Sequence, residues 1–434
     1  MKLAAFRFLS VVLGLLLSVV LLELFATAYL TLRDGRYESG RERFLNSHLM
    51  WSLGAGVTPV ASYYCRHIDT LFPHPYLGWV YHGNPPCGYP DSINNIGLHR
   101  HDFPAERATD HFVILLTGGS VSEYVGGGNQ LHVGGELHPP YLERALNARW
   151  TSADGKSFVV LQGGAGGWKQ PQQAIMLLLY ADMIDAVVTL DGANEFLRTL
   201  NPTGQRFETP FQHFQEANPL ASASFSKVIW QWLLANGIAF LRSTPPFSYS
   251  SLAYLVADRV STLIEPADTK NSNRRTTVAS IFAAPKEWDK ARYWEVGQEQ
   301  YHKYIREMHA VAAEFGIRDA YFLQSMPAIK KTLTEEERKV VGDLSYRDKY
   351  VEWVDNTLKL RAKGIAVYDM LDVFENEKGQ IYQDGGHSLW NDATHEARGY
   401  TLIAERMAET LAKAWNFKPK ESATVILAPA KSGQ

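Results

Sequence analysis

Five residues scattered along the chain have the types that acyl transfer needs: Ser120, Gly167, Asn194, Asp384 and His387. A serine hydroxyl is a weak nucleophile at neutral pH, so a base must take its proton as it attacks an ester carbonyl. An imidazole, with an ordinary pKa of about 6.5, suits that task. Asp384, three residues before His387, can orient the ring and stabilise the imidazolium formed during attack. The oxyanion that develops on the substrate needs donors already in place, and the backbone N–H groups of Ser120 and Gly167 with the Asn194 side-chain amide fit that need. Each residue alone has a plainer use. Gly118-Gly119-Ser120 is ordinary turn chemistry. Gly163 to Gly167 could cradle a phosphate but lacks the full Gly-x-Gly-x-x-Gly spacing. Asn194 could cap a helix. Asp384 with His387 could be part of a metal site, although no third ligand stands at a recognisable spacing.

The joint reading rests on where these residues fall. Short apolar runs rich in β-branched or aromatic residues occur at Phe112 to Leu116, Phe158 to Leu161, Asp185 to Leu190, Ala320 to Gln324 and Gly364 to Tyr368. They read as buried parallel strands. Helical patterns lie between them. Tyr301, Tyr304, Ile305, Met308, Val311, Ala312 and Phe315 make one apolar stripe ended by Gly316, and Tyr400, Ile403, Ala404, Met407 and Leu411 make another. Alternating strands and helices predict an open, doubly wound α/β sheet, whose functional loops lie beyond the carboxyl ends of the strands. Ser120 follows the first strand, Gly167 the second, Asn194 the third, and the Asp384-to-His387 segment follows the fifth.

That order of Ser, Gly, Asn and a late Asp-x-x-His resembles the SGNH (GDSL-like) hydrolase superfamily. The stretches Tyr76-Leu77-Gly78-Trp79 and Asn95-Ile96-Gly97-Leu98-His99-Arg100 look like the lead-in of its membrane-anchored bacterial members. The resemblance covers about residues 75 to 200 and 316 to 416. It implies a flavodoxin-like three-layer α/β/α sandwich with about five parallel strands. It also implies a serine esterase that forms an acyl-enzyme on Ser120, with Asp384 and His387 completing the triad and no cofactor. Three departures stand out: Gly119 occupies the usual Asp position of the first block, Glu195 follows Asn194 where Asp is commoner, and His387 stands twelve residues before Gly399. The family's His lies closer to the Gly that opens the last helix, and a second Asp-x-x-His, Asp392 with His395, is therefore the alternative. Ile381-Tyr382-Gln383, which resembles the family's entry into this block, and the pliant Gly385-Gly386 favour the first copy.

Phe8 to Leu32 is almost uninterrupted apolar sequence after Lys2 and Arg7, long enough to span a bilayer, so residues 1–32 are expected to be a signal anchor. Ala26-Thr27-Ala28 offers a cleavage site and leaves a signal peptide as the alternative. Arg33, Arg36, Arg41 and Arg43 outnumber the basic residues before the span, which by charge counting favours the reverse topology. The resemblance and the cysteines instead place the catalytic domain outside the cytoplasm. Two cysteines, Cys65 and Cys87, are close together in a proline-rich segment, and an exported setting predicts that they pair, two buried thiols being the alternative. The expected organisation is a loop-rich lead-in over 33–110, a first core part over 111–200, an aromatic-rich insertion over 201–300, a second core part over 301–416 and a flexible tail over 417–434. The insertion's aromatics form its own small core or else a lid.

With 434 residues and 46% hydrophobic content the chain can bury more than one core, and a net charge of −3 leaves no electrostatic footprint for nucleic acid. The expected substrate is an acetylated or otherwise short-acylated glycan outside the cytoplasm, or another ester, with the membrane as the second partner. A glycan O-acyltransferase using the same triad, and a non-catalytic glycan-binding or assembly protein, are the alternatives.

Overall fold

The computed structural model describes residues 2–46, 71–81, 93–127, 139–202, 204–209, 225–264, 283–330, 332–391 and 396–420. They fall into two compact units, one of Met1–Gly97 with Gly204–Glu287, the other of Leu98–Thr203 with Trp288–Gln434.

The first unit is built on α1 (Lys2–Asp34), a helix long and apolar enough to cross a membrane. A short helix α2 (Gly40–Asn46) and a hairpin of Leu71–His74 with Gly78–Tyr81 follow. Further helices belong to other stretches of chain: α3 (Ser120–Val125), α4 (Tyr141–Arg149), α5 (Gln172–Tyr180) and α6 (Ala193–Leu200) to the second unit, α7 (Phe225–Ser243) and α8 (Ser251–Ile264) to the first. Ala26 and Leu30 of α1 are buried, and Leu30 packs with Phe44, Ile238, Ala253, Tyr254 and Ala257 in a core of this unit. Of the aromatics expected to form such a core, Tyr254 does so. Trp230, Phe240, Phe247 and Tyr249 are exposed.

The second unit also contains α9 (Lys290–Phe315), α10 (Glu335–Val340), α11 (Arg347–Leu358) and α12 (Arg398–Ala414). Its sheet has five parallel strands: β1 (His111–Gly118), β2 (Ser157–Gln162), β3 (Ala186–Asp191), β4 (Arg318–Leu323) and β5 (Val367–Asp369), in spatial order β2-β1-β3-β4-β5. All five expected strands and the doubly wound α/β class are present. The strands read as continuous apolar runs because both faces are covered. Ile114, Leu116, Val188, Leu190 and Phe322 face Val121, Leu142, Leu146, Met407 and Leu411 of α3, α4 and α12. Residues of the opposite parity, Val113, Leu115, Val187, Tyr321 and Leu323, are equally buried, as are Met176, Tyr301, Ile305 and Met308 on α5 and α9. The strand order reverses between β1 and β3, the point at which loops beyond the strands of such a sheet diverge. Ser120 leaves β1 and Asn194 leaves β3 at that point. Phe417 is buried, and Lys418–Pro419 pairs antiparallel with Trp150–Thr151, so the first residues assigned to the tail belong to this unit.

Candidate active site

The turn that presents Ser120 depends on two glycines packed against β3 and its loop. Gly118 has φ +150°, and a Cβ there would lie 2.2 Å from the Leu190 carbonyl oxygen and 2.5 Å from Ser122 Cβ. The next residue, Gly119, is extended, with φ −88° and ψ −155°. A Cβ on it would lie 2.4 Å from Asn194 Nδ2. The chain therefore turns from β1 into α3 in the space of two residues and sets Ser120 at the first position of the helix. First-turn N–H groups have no acceptor within their own helix, which leaves the Ser120 N–H to donate elsewhere.

Ser120 Oγ and His387 Nε2 are 2.8 Å apart. The other ring nitrogen, Nδ1, is 2.9 Å from Asp384 Oδ2 and 3.0 Å from Oδ1. The side chains from residues 120, 384 and 387 thus form one continuous hydrogen-bonded relay. It is open to solvent: His387 is 31% and Asp384 48% exposed. Asp384 Oδ1 also accepts from the Gly386 N–H at 2.9 Å and the His387 N–H at 2.8 Å, which curls the loop back on itself. Partial burial pushes the Asp384 carboxyl up, but the His387 hydrogen bond and charge and these two N–H groups outweigh it and hold it below the ordinary carboxylate range. The carboxylate stays ionised facing the imidazole.

The expected oxyanion donors surround the same turn. Asn194, early in α6, donates one Nδ2 hydrogen to the Trp168 carbonyl oxygen at 2.8 Å. That bond fixes the carboxamide and leaves the second hydrogen to donate. Gly167 has φ +77°, a conformation that favours glycine. Its neighbour Gly166 is close enough to Ser120 that a Cβ on it would lie 4.0 Å from Ser120 Cβ. The structure therefore brings together all five residues singled out in the sequence. Asp392 and His395 lie outside the described residues, as do Cys65 and Cys87. Among the described residues no group of three or more His, Cys, Asp or Glu side chains is arranged to hold a metal ion.

Several residues that support this arrangement carry little signal in the sequence, although Glu195 follows Asn194 in the third block and Thr334 with Glu337 has the spacing of a capping box. Tyr124 sets its ring against His387 with centroids 5.5 Å apart, and stacks on Tyr400 at 5.2 Å. Glu195 is fully buried and accepts from the Gln170 N–H at 2.8 Å, the Gly192 N–H at 3.0 Å and Gln173 Nε2 at 3.3 Å, joining the loop after β2 to the turn after β3. Beside it Asp191 accepts from Tyr301 Oη at 2.6 Å. Burial, and for Asp191 the nearby Glu195, pushes both carboxyls up. A buried ion pair, Lys330 with Glu337 at 2.8 Å, holds the strand entering the His387 loop, because Glu337 Oε1 also accepts from the Ile381 and Tyr382 N–H groups at 2.8 and 3.1 Å. Glu123, one turn beyond Ser120, is buried with His99 at 3.2 Å. The one clue was position, since Glu123 shares the Ser120 face of a helix.

A comparison with protein-family models finds no match to this chain, and a comparison with curated proteins finds none either. Among solved structures it is similar to a proposed acylhydrolase from Bacteroides fragilis, with 9% identity, TM-score 0.32, and coverage of 72% of this chain and 92% of the other. An α/β hydrolase enzyme from the metagenome of Lake Arreo, Spain, shares 14% identity with TM-score 0.33, covering 71% and 96%. An acetyl xylan esterase shares 10% identity with TM-score 0.29, covering 70% and 99%. At this degree of likeness the site has to be interpreted from its own geometry.

Proposed function

We propose that the chain is a serine esterase of the SGNH type, anchored in a membrane by α1, that removes acetyl or another short acyl group from a glycan outside the cytoplasm. The observation that carries the chemistry is the relay from Ser120 Oγ through both ring nitrogens of His387 to Asp384.

In this reading Asp384 accepts the Nδ1 hydrogen and so leaves Nε2 as the base facing Ser120. As Oγ attacks the ester carbonyl carbon, its proton passes to Nε2 and the carbonyl oxygen gains negative charge. The N–H groups of Ser120 and Gly167 and the second Asn194 amide hydrogen receive that charge, and each such donor typically contributes about a hundred- to a thousand-fold in rate. The imidazolium then protonates the departing sugar oxygen, which leaves as the free hydroxyl, and the acyl group stays on Ser120. Water, deprotonated by the same imidazole, attacks the acyl-enzyme carbonyl, and the imidazolium returns that proton to Ser120 Oγ as the acid leaves. The open site suits a bulky alcohol that holds one small acyl group.

Ser120→Ala should abolish hydrolysis of p-nitrophenyl acetate while leaving thermal unfolding nearly unchanged, and a fluorophosphonate probe should label the wild type at Ser120 alone. Full activity in pure Ser120→Ala protein would remove the proposal. Adding sugar acceptors and following the acyl group then separates hydrolysis from transfer.

A further inference from the structure

The geometry points to a second membrane-contacting element: the aromatic turn between α7 and α8, which enters the bilayer beside α1. This rests on the reading of α1 as a membrane span. A hydrocarbon core takes about 20 helical residues, and any window of about that length inside Phe8 to Leu32 includes Glu23. An isolated carboxylate at that depth is costly. Glu23, however, has partners. Its Oε2 accepts from Ser250 Oγ at 2.5 Å and the Leu252 N–H at 3.1 Å, and its Oε1 from the Ser251 N–H at 2.5 Å. The carboxylate of the span thus caps the first turn of α8, and where Glu23 lies in the slab, Ser250 and the turn before it lie there too.

The turn has the composition such a position needs. It runs from the end of α7 through Pro245 and Pro246 to Tyr249, and Phe240, Phe247 and Tyr249 are 54%, 41% and 54% exposed. Tyr and Trp rings favour the boundary between headgroups and acyl chains. Arg41 donates to Tyr249 Oη at 2.7 Å, setting a cation at that boundary. The turn is closely packed on α2, because a Cβ on Gly40 would fall 2.4 Å from the Ser250 carbonyl carbon. From Glu23 the two helices run side by side away from the turn, with Arg33 3.6 Å from Asp258. Trp230, although 64% exposed, stands near the opposite end of α7 from the turn. The hairpin therefore meets the bilayer end-on, and α1 has to stay attached.

The test uses the full chain reconstituted in phosphatidylcholine vesicles that carry a diazirine on the acyl chain, with adducts mapped by mass spectrometry after photolysis. Adducts on α1 and, at comparable yield, on Phe240, Phe247 or Tyr249, with Trp230 unlabelled, are expected. Labelling confined to α1 overturns the proposal and leaves the span standing. No labelling of α1 removes the span reading and the proposal with it. Trp230 labelled as heavily as Phe247 overturns the end-on placement. A mature chain beginning at Tyr29, without Glu23, also overturns it.

Discussion

Gly119→Ala should slow catalysis and change little else. The residue is extended, with φ −88° and ψ −155°, a conformation open to alanine without strain. The new Cβ would lie 2.4 Å from Asn194 Nδ2 and 3.2 Å from the Trp168 carbonyl oxygen. Ordinary contact needs about 3.5 Å, so the carboxamide has to retreat by about 1 Å. Because the obstructed atom ends a side chain, a rotamer adjustment relieves the clash at about 1 kcal/mol. The rate suffers more. A misplacement of about 1 Å costs on the order of a hundred-fold, and complete loss of an oxyanion donor reaches about a thousand-fold, or roughly 3 to 4 kcal/mol. The assay is kcat and KM on p-nitrophenyl acetate beside a thermal melt. A fall in kcat of about a hundred-fold or more, with KM and melting nearly unchanged, is expected. Since the damage acts through Asn194, Gly119→Ala combined with Asn194→Ala should be scarcely slower than Asn194→Ala alone. A wild-type kcat in Gly119→Ala, or losses that multiply in the double variant, would refute the assignment of Asn194 as a donor.

Three further outcomes are expected. His387→Ala should slow hydrolysis about as severely as Ser120→Ala, with little further loss in the pair, whereas His395→Ala retains most activity; the opposite ranking makes Asp392 and His395 the working pair. The folded Asp384 carboxyl is held below its ordinary value of 3.8, so its contribution to stability is present above that pH and disappears as pH falls through the lower folded value. The stability gap between wild type and Asp384→Asn, measured by denaturant titration, should therefore narrow below about pH 4, and a gap constant to pH 2 contradicts the ion-paired carboxylate. Cys65 and Cys87 should be joined in protein from an oxidising compartment, contributing about 3 kcal/mol, and two freely alkylated thiols in unreduced protein would exclude the bond.

The sheet was legible because each strand is covered on both faces and so had to be a short, continuous apolar run between turn residues. The helices were less so. The stripe from Tyr301 marked α9, yet the helix begins at Lys290, where Asp289 caps it by accepting from the Arg292 N–H at 2.8 Å. Its first turns bury few side chains, so no apolar rhythm announced them. Candidate site residues were visible through their types and their places after strands. The residues that hold them were only partly so. Thr334-x-x-Glu337 has the spacing of a capping box, which the structure forms. The distant N–H groups that Glu195 and Glu337 also accept from, those of Gln170, Ile381 and Tyr382, leave no pattern in the sequence. Tyr124 and Tyr400 likewise could be any aromatic of a helical stripe.

Between His387 and Gly399 the chain makes an excursion whose two ends stay together. After Ser388 the chain leaves along Trp390–Asn391 and returns antiparallel along Glu396–Ala397. On the return Arg144 pairs with Glu396 at 2.6 Å, and the Ala397 N–H donates to Tyr141 Oη at 2.9 Å. The excursion lengthens the sequence without separating its ends. Gly399 still meets Ser388: its N–H donates to Ser388 Oγ at 3.0 Å, and a Cβ on it would lie 2.6 Å from that oxygen. The constraint on His387 is thus a contact between its neighbour and the start of α12. Insertions between the two are tolerated as long as the loop closes, since loop-closure entropy grows only slowly with length.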